Sequence, residues 1–518
     1  MEKKVHEKKT DAVNETGDGT SGGVTRRQVL VGAAAAAGVV GGGLLMPRTL
    51  RAVEPPKKWD RKTDVVIIGS GFAGLAAAIE ARDAGAQVIV IEKAETVGGN
   101  SIIASGALNC VDPGRQKPQG IEDSIDLHIQ QTLAGGDFMG DREKVTTMVQ
   151  HGLESLQWLE KLGVEFEPKV YTVVGALWPR SHDPANKGRG AAIIKVLKAQ
   201  ADQRKIPFVQ PCALTGIVRQ KPITGEVLGV EAEFRGKKIY IQAQKAVVMA
   251  TGGYSADVPM RSKYNPRLDK EVPTTNVKTA TGESIVYSQD IGADIIGMDY
   301  IQLLIACNFY TKQYGSLTNL GIDSAIFVNT EGKRFVAEDS RRDVMADAVL
   351  KQPQKVLLWV ADERAQKRFN ETLTEKILKD GLAFRADTLE ELAKILNAKF
   401  NTPPDVFLAT VRDYNETVKS GKDPLGKKQT NLKAVEQGPF YASPTQAGVH
   451  HTMGGLRTQG TTGQVLDRYG KIIPRLYAAG EVTGGVHGSN RLGGNATTDC
   501  IVFGRLTGIN AAKEKAKG

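Results

Sequence analysis

The sequence predicts an α/β protein organised around a Rossmann-like dinucleotide-binding domain. Three observations predict it. A β-branched run, Lys62–Ile68, leads straight into glycines; Gly69, Gly71 and Gly74 have the spacing G-x-G-x-x-G; and the next apolar run ends in an acid, Glu92. Composition agrees. The 518 residues are enough for roughly two to four domains. Hydrophobic residues make up 41%, which supports a large core and excludes a disordered chain. The 57 glycines show no three-residue period, which excludes collagen.

The first 24 residues are polar, and Thr25-Arg26-Arg27-Gln28-Val29-Leu30 follows. The apolar stretch Val29–Met46 is built almost wholly of Ala, Gly, Val and Leu, and Pro47 ends it. Two adjacent arginines before a weakly apolar run read as a twin-arginine export signal, with a small residue, Ala52, for cleavage. A membrane anchor would need about 20 strongly apolar residues. This run is shorter and holds five glycines. The expectation is therefore a periplasmic protein that meets the twin-arginine machinery folded, with its cofactor in place. Residues 1–55 are set aside from the fold. They hold eight basic and six acidic residues, so the remainder keeps +8 of the total +10. That charge suits anionic small ligands and excludes a nucleic-acid binder with a dense basic stripe.

Cys110, Cys212, Cys307 and Cys500 form no C-x-x-C pair. Spacing alone excludes zinc ribbons, dithiol redox pairs and C-x-x-C-H haem attachment, so neither metal nor haem is expected in this chain.

In the βαβ segment, Leu75–Ala84 has helical spacing and Gln87–Ile91 reads as the second strand. Gly69 permits the tight turn, Gly71 lets the backbone approach a pyrophosphate, and Gly74 lets helix and strand pack closely. The helix N-terminus supplies amide donors. Glu92 suits the hydroxyls of an adenosine ribose. NAD and FAD share this fingerprint, and further glycine turns favour FAD. Val97-Gly98-Gly99-Asn100-Ser101 follows the acid; Val247–Gly253 is a strand entering a second glycine turn. Leu476–Glu481 is a strand with a terminal acid, and Gly493-Gly494-Asn495-Ala496-Thr497 enters the last helix. Sequence-distant turns that converge on one extended ligand suit FAD.

The G-G-N-S stretch, A-T-G-G at Ala250–Gly253 and the run from His450 to Arg505 resemble the flavoprotein subunits of the fumarate reductase/succinate dehydrogenase family. They are most similar to its soluble periplasmic branch: the flavocytochrome c fumarate reductases, urocanate reductases and (meth)acrylate reductases. The most specific stretch is His451-Thr452-Met453-Gly454-Gly455, with Arg491 forty residues after His451 in Gly488-Ser489-Asn490-Arg491-Leu492-Gly493-Gly494. The resemblance implies a Rossmann-like FAD-binding domain, 56–299 and 452–518, interrupted by an α+β capping (clamp) domain, 300–451. It implies FAD contacts from Gly69, Gly71, Phe72, Ala73, Gly74, Glu92, Lys93, Gly99, Asn100, Ser101, Ser105 and Gly106. It adds Ala250, Thr251, Gly252, Gly480, Glu481, Arg491, Gly494, Asn495 and Ala496. No histidine stands in the G-G-N-S region, where the family attaches flavin covalently, so non-covalent FAD is expected.

The family chemistry is reduction of a carbon–carbon double bond conjugated to a carboxylate. Hydride arrives at the β-carbon, charge builds toward the carboxylate, and an acid protonates the α-carbon. The resemblance makes Arg491 the carboxylate grip, His451 its partner, and Arg342 the proton donor. An arginine, with a pKa above about 12, would by itself be read as an anion stabiliser. Arg341 competes for the acid role, and the run Gly332–Val336 sets the register for Arg342.

The departures concern specificity. In Tyr300-Ile301-Gln302-Leu303-Leu304-Ile305-Ala306, Leu304 stands where the fumarate enzymes have a histidine for the second carboxylate. A carboxylate unpaired against leucine costs several kcal/mol. The imidazole-holding pair of the urocanate enzymes becomes Leu304 and Asn319. With Leu304, Ile305 and Asn319 in the substrate pocket, a small unsaturated monocarboxylate of the acrylate or methacrylate type is expected. Fumarate, urocanate and cinnamate remain the alternatives. Thr318 and Gly321 replace the family's proton-relay glutamate and arginine, leaving Asp323, Asp339 or water. With no haem motif and no second dinucleotide fingerprint, electrons are expected from a separate donor, most simply a periplasmic c-type cytochrome. A 3-ketosteroid dehydrogenase-like flavin enzyme and a non-catalytic FAD-binding protein are the other classes. The polar stretch 418–433 reads as a solvated loop of the cap, and Lys351–Leu396 as helical runs alternating with short polar breaks, structural in role.

Overall fold

In the computed structural model the strand Arg61–Ile68 runs through the middle of the larger of the two main sheets. The structure describes residues 52–315, 317, 325–366 and 371–516. The proposed export signal lies outside them, apart from the proposed cleavage residue, Ala52. Val65 and Ile67 face one apolar core, and Val66 and Ile68 face the other. Burial on both faces is why this run shows no polar alternation. Its neighbours, Val88–Ile91 and Lys237–Met249, are both parallel to it. The sheet order is Gln464–Leu466, Ile472–Ala478, Lys237–Met249, Arg61–Ile68, Val88–Ile91, Phe208–Val209. An antiparallel pair, Cys212–Lys221 and Thr224–Phe234, extends it from Lys237–Met249.

The helix Phe72–Asp83 lies close against the first strand because Gly74 has no side chain. A Cβ there would sit 2.0 Å from the Gly69 carbonyl oxygen. The last helix, Asn495–Lys513, packs on the same helix with equal intimacy. Added Cβ atoms at Gly504 and Gly508 would lie 2.6 Å and 2.3 Å from the carbonyl oxygens of Ala73 and Ala77. The C-terminal segment is thus part of the first sheet's core.

The second sheet has five strands, all antiparallel: Ile301–Asn308, Phe440–Thr452, Leu357–Ala361 and Ala325–Val328 in order, with Phe384–Ala386 on Phe440–Thr452. It too is covered on both faces: Phe327 and Trp359 lie in one core, Ile326 and Leu358 in the other. All its strands come from 301–452, between the two parts of the first sheet. The fold class is the one expected: a Rossmann-like α/β domain interrupted by a smaller α+β unit.

Two sequence readings need correction. Lys351–Leu396 is not only helical but supplies the strands Leu357–Ala361 and Phe384–Ala386. The stretch 418–433 is not simply a solvated loop. It begins in the helix Pro404–Ser420, and its Lys427 is buried. Lys427 Nζ donates to the Ala325 carbonyl (2.9 Å) and the Tyr414 hydroxyl (3.0 Å), and lies 3.3 Å from Glu338. Lysine-rich composition does not reveal one lysine that is turned inward and paired.

No helix among the described residues is long and apolar enough to cross a membrane. Substituting Gly504→Val should force the two packed helices apart. The expected cost is about 1–3 kcal/mol, read as a lowered Tm in thermal unfolding; an unchanged Tm would show that this contact is loose.

Candidate active site

The glycine turns converge on one cleft. Gly69, Gly71, Phe72, Ala73, Glu92, Lys93, Gly99, Asn100, Ser101, Ala250, Thr251, Gly252, Gly480 and Glu481 all line it. Each turn is held in place. Gly69 has φ +101°, and a Cβ would collide with the Ala250 carbonyl oxygen at 2.4 Å. Ser101 Oγ accepts from the Phe72 amide (3.0 Å), so the G-G-N-S turn is tied to the helix N-terminus. Glu92 Oε2 accepts from the Ser70 amide (3.0 Å) and hydroxyl (2.6 Å), and Oε1 from the Ala94 amide (2.8 Å). At Gly99 and Gly252 an added Cβ would meet no protein atom within 4 Å, so both leave open space in the wall. These bare backbone turns, an exposed helix N-terminus and an acid at the second strand's end fit the pyrophosphate and ribose of FAD.

Several expected contacts fall elsewhere. Gly74 serves helix packing and does not line the cleft. Ser105 is exposed, and Gly106 packs against Gly190, whose amide nitrogen a Cβ would approach to 2.7 Å. Gly494, Asn495 and Ala496 do not line the cleft either. Asn495 sits in a buried amide network with Asn109 (2.8 Å), Thr132 (3.0 Å) and His128 (3.2 Å), which fixes the last helix's start. Glycine and asparagine are needed there for packing, a use their motif does not distinguish from ligand contact. The cleft also recruits residues that carried no sequence signal: Cys212, Leu214, Val277, Thr279, Ala280, Gly282, Glu283 and Ser284. Lys93 Nζ donates to Glu283 (2.5 Å) and Thr281 (2.6 Å) at this wall.

The polar centre lies where the two sheets meet. Arg342 is the first residue of the helix Arg342–Leu350, and Arg491 lies in the loop before the last helix. Arg342 donates from Nη2 to the Val174 carbonyl, while its Nε and Nη1 are shielded from water with no partner. Gly175 leaves room for it: a Cβ there would lie 2.4 Å from Arg342 Nε. Arg491 is buried, donates from Nη1 to the Leu492 carbonyl (3.3 Å), and has an unpartnered Nε. Burial, and then the neighbouring Arg491, push Arg342 down to about 9. Burial pushes Arg491 down to about 10, with Glu481 opposing. Such a pair of desolvated like charges is stable only beside an anion.

The histidines require a correction. In the pairing of Ile301–Asn308 with Phe440–Thr452, Gln302 opposes His451 and Leu303 opposes Val449. His450 is therefore the extra residue of a β-bulge, which re-aims side chains locally. His451, the expected carboxylate ligand, is buried, with its ring 5.3 Å from that of His487 and Nδ1 3.7 Å from Glu481. His450 is only half-buried, and its Nδ1 lies 2.7 Å from Thr275 Oγ1, which leaves Nε2 for a ligand. Burial and the two arginines hold both imidazoles well below their usual range, hence neutral. A bulge cannot be read from adjacent histidines, so the two look alike until the strands are paired. Gln302 was also missed as a site residue. Its Nε2 donates to the Asn490 side chain (3.0 Å) and the Arg491 carbonyl (2.8 Å), joining the second sheet to the Arg491 loop.

Leu304 is half-buried and shares a strand face with Gln302. Ile305 faces the other way into the second sheet's core with Leu303 and Val449, so strand alternation removes it from the pocket. Asn319, Thr318, Gly321 and Asp323 lie outside the described residues. Asp339 accepts from the Lys428 amide (2.9 Å) and Asn431 (2.8 Å), which gives it a loop-fixing role. Arg341 points away from Arg342 and pairs with acids at the surface.

Residues 64–497 match the family described as FAD binding domain. Among curated relatives, a probable fumarate reductase of Shewanella frigidimarina is 36% identical, covering 87% of this chain and 75% of the relative. An acrylate reductase flavoprotein subunit of Shewanella woodyi is 33% identical, covering 86% and 90%. The open conformation of a flavocytochrome c3 fumarate reductase superposes with a TM-score of 0.77 at 34% identity, covering 88% of this chain and 79% of that one. The chain spans about half the length of two further, NADH-linked relatives (51% and 48%).

Gly71 has φ −70°, which any residue adopts, so Gly71→Val isolates the steric demand of the cleft wall. Overpacking of about 1–3 kcal/mol should cut retained FAD roughly tenfold, measured as flavin absorbance of the purified protein. Full retention would place the dinucleotide elsewhere.

Proposed function

The chain belongs to the FAD-binding family of the fumarate and acrylate reductase flavoproteins and is an FAD-dependent oxidoreductase acting on carbon–carbon double bonds; from that premise we propose that its substrate is a small unsaturated monocarboxylate of the acrylate or methacrylate type. One observation carries this reading: two desolvated guanidinium groups keep unpartnered N–H donors, and the strand that reaches the Arg491 carbonyl through Gln302 carries a leucine, Leu304, two residues on. The arginines ask for one carboxylate. Leu304 gives a second carboxylate nothing to pair with, and leaving that charge unpaired would cost several kcal/mol.

Bound FAD, once reduced, supplies the hydride. This chain's residues do the remainder. Arg491, a planar fork, grips the carboxylate. His450, neutral and positioned by Thr275, donates to the same group from Nε2. Arg342 lies close enough to Arg491 to feel its charge, and its lowered pKa makes it a better acid than a free guanidinium. It delivers a proton to the α-carbon as charge builds toward the carboxylate. Val174 and Gly175 hold its side chain.

FAD is held without a covalent bond in this reading, since no histidine stands in the stretch Val97-Gly98-Gly99-Asn100-Ser101. Electrons come from a separate carrier, a periplasmic c-type cytochrome, and the N-terminal twin-arginine segment directs the folded chain to the periplasm. The fumarate reductases among the relatives favour fumarate as the second reading.

The test is anaerobic oxidation of reduced methyl viologen with acrylate, methacrylate, cinnamate, urocanate and fumarate. Fast turnover with acrylate or methacrylate and little with fumarate is expected. Preferred fumarate turnover would mean that another group replaces the missing histidine, and silence across the panel would remove the enoate reading.

A second expectation concerns pH. Arg342 must be protonated to act, so kcat should hold below and fall as pH rises through about 9. A rate that instead falls on acidification, with no loss above pH 9, would exclude Arg342 as the acid.

A further inference from the structure

Arg341 stands next to Arg342 at the start of the same helix, yet the two side chains diverge. Arg341 is partly exposed, and its fork makes four charged hydrogen bonds. Nη1 and Nη2 donate to Asp137 Oδ1 (2.8 Å) and Oδ2 (3.1 Å). Nε and Nη2 donate to Asp343 Oδ1 (3.0 Å) and Oδ2 (2.7 Å). Asp137 comes from the other domain, just after the helix Ile125–Gly135, and also accepts from the Ser489 hydroxyl. The Ser489 amide in turn donates to the Gly136 carbonyl (3.1 Å), and Asn490 Nδ2 to the Gly135 carbonyl (3.0 Å). Arg491 follows directly. On the opposite side, Arg342 holds the Val174 carbonyl, and the next residue's carbonyl, Gly175, accepts from the Gly493 amide (3.0 Å). The two consecutive arginines therefore grip the 488–493 loop from its two ends.

We propose that Arg341 is a positioning residue: through Asp137 and Ser489 it clamps the capping helix onto the loop that carries Arg491, and so sets the spacing between Arg342 and Arg491. This rests on the reading of those two arginines as the substrate-carboxylate site. The physical need is plain. Two buried guanidiniums repel, and Arg342 sits at a helix N-terminus, where the dipole also disfavours a cation. Without a tether on the outside, both forces would push the capping helix away from the loop. An isolated exposed ion pair contributes little, but this one is bidentate on both sides and shares its acceptor with a hydroxyl, the circumstance in which surface pairs are effective.

The clamp is tested on the FAD-loaded full chain by hydrogen exchange, without substrate. The variants are Arg341→Ala, Asp137→Asn and the double substitution. Asp137 has φ +55°, a conformation asparagine tolerates as readily as aspartate, so Asp137→Asn removes charge without adding strain. Exchange across 338–350 should rise about two- to fivefold in each single variant and no further in the double. Raising ionic strength should produce the same rise in the native chain and none in the variants. Turnover with reduced methyl viologen and the preferred enoate should fall by a similar factor. Additive effects, unchanged exchange, or salt sensitivity that survives in the variants would overturn the clamp. If the enoate reading is wrong, the turnover arm is silent while the exchange arm still decides the clamp.

Discussion

Two guanidinium groups held out of water beside one another set the terms for the rest of this structure. Arg342 and Arg491 each keep a shielded Nε without a partner; burial weakens the hold of both on their protons, and Arg491 weakens that of Arg342 further. A folded chain tolerates such an arrangement only if the surrounding framework is over-determined. The framework here is densely hydrogen-bonded at the relevant points. The Arg491 loop is pinned by Gln302 from one sheet, by Asn109 and Asn495 beneath the last helix, and by Ser489 through Asp137. A carboxylate ligand completes the electrostatics that the protein leaves open.

The element that delivers Arg342 is stabilised by different means. The turn before it contains Glu338, fully buried, which accepts from Arg334 and from the Phe327 amide and faces Lys427. Arg334 also pairs with Asp423 (2.8 Å). Removing one member of a buried charged cluster typically costs about 3–5 kcal/mol, because the others are left uncompensated. This cluster fixes the register of 334–342 from inside the second sheet while Arg341 fixes it from outside. The stretch 418–433, which looks like solvated surface in the sequence, is a structural support for the helix that begins at Arg342.

The first domain was largely legible in the sequence because its constraints are local. The strand–turn–helix at 61–83 combines β-branched residues buried on both faces with glycines at positions of forced backbone approach, and both leave a direct mark on residue type. The site was legible in part. Arg342 and Arg491 converge as the resemblance implied, and Leu304 faces the same side as Gln302. What escaped are features set by register and by tertiary contact. One bulge gives His450 and His451 different surroundings. Strand alternation turns Ile305 into a core. Gly494 and Asn495 serve packing where ligand contact was expected. None of these alters local composition, so none could be read before the strands were paired.

The last fifty residues have a consequence for how the protein is made. The strand Ile472–Ala478 joins the first sheet beside Lys237–Met249, the cleft wall includes Gly480, Glu481 and Cys500, and the helix Asn495–Lys513 closes over Phe72–Asp83. The dinucleotide fingerprint leaves the ribosome early, but its binding wall does not exist until residues 472–513 have followed it. The second sheet, being continuous in sequence, is free to fold while translation continues. Flavin capture therefore waits on residues 472–513, and a chain cut before them would carry the G-x-G-x-x-G glycines with no complete pocket in which to use them.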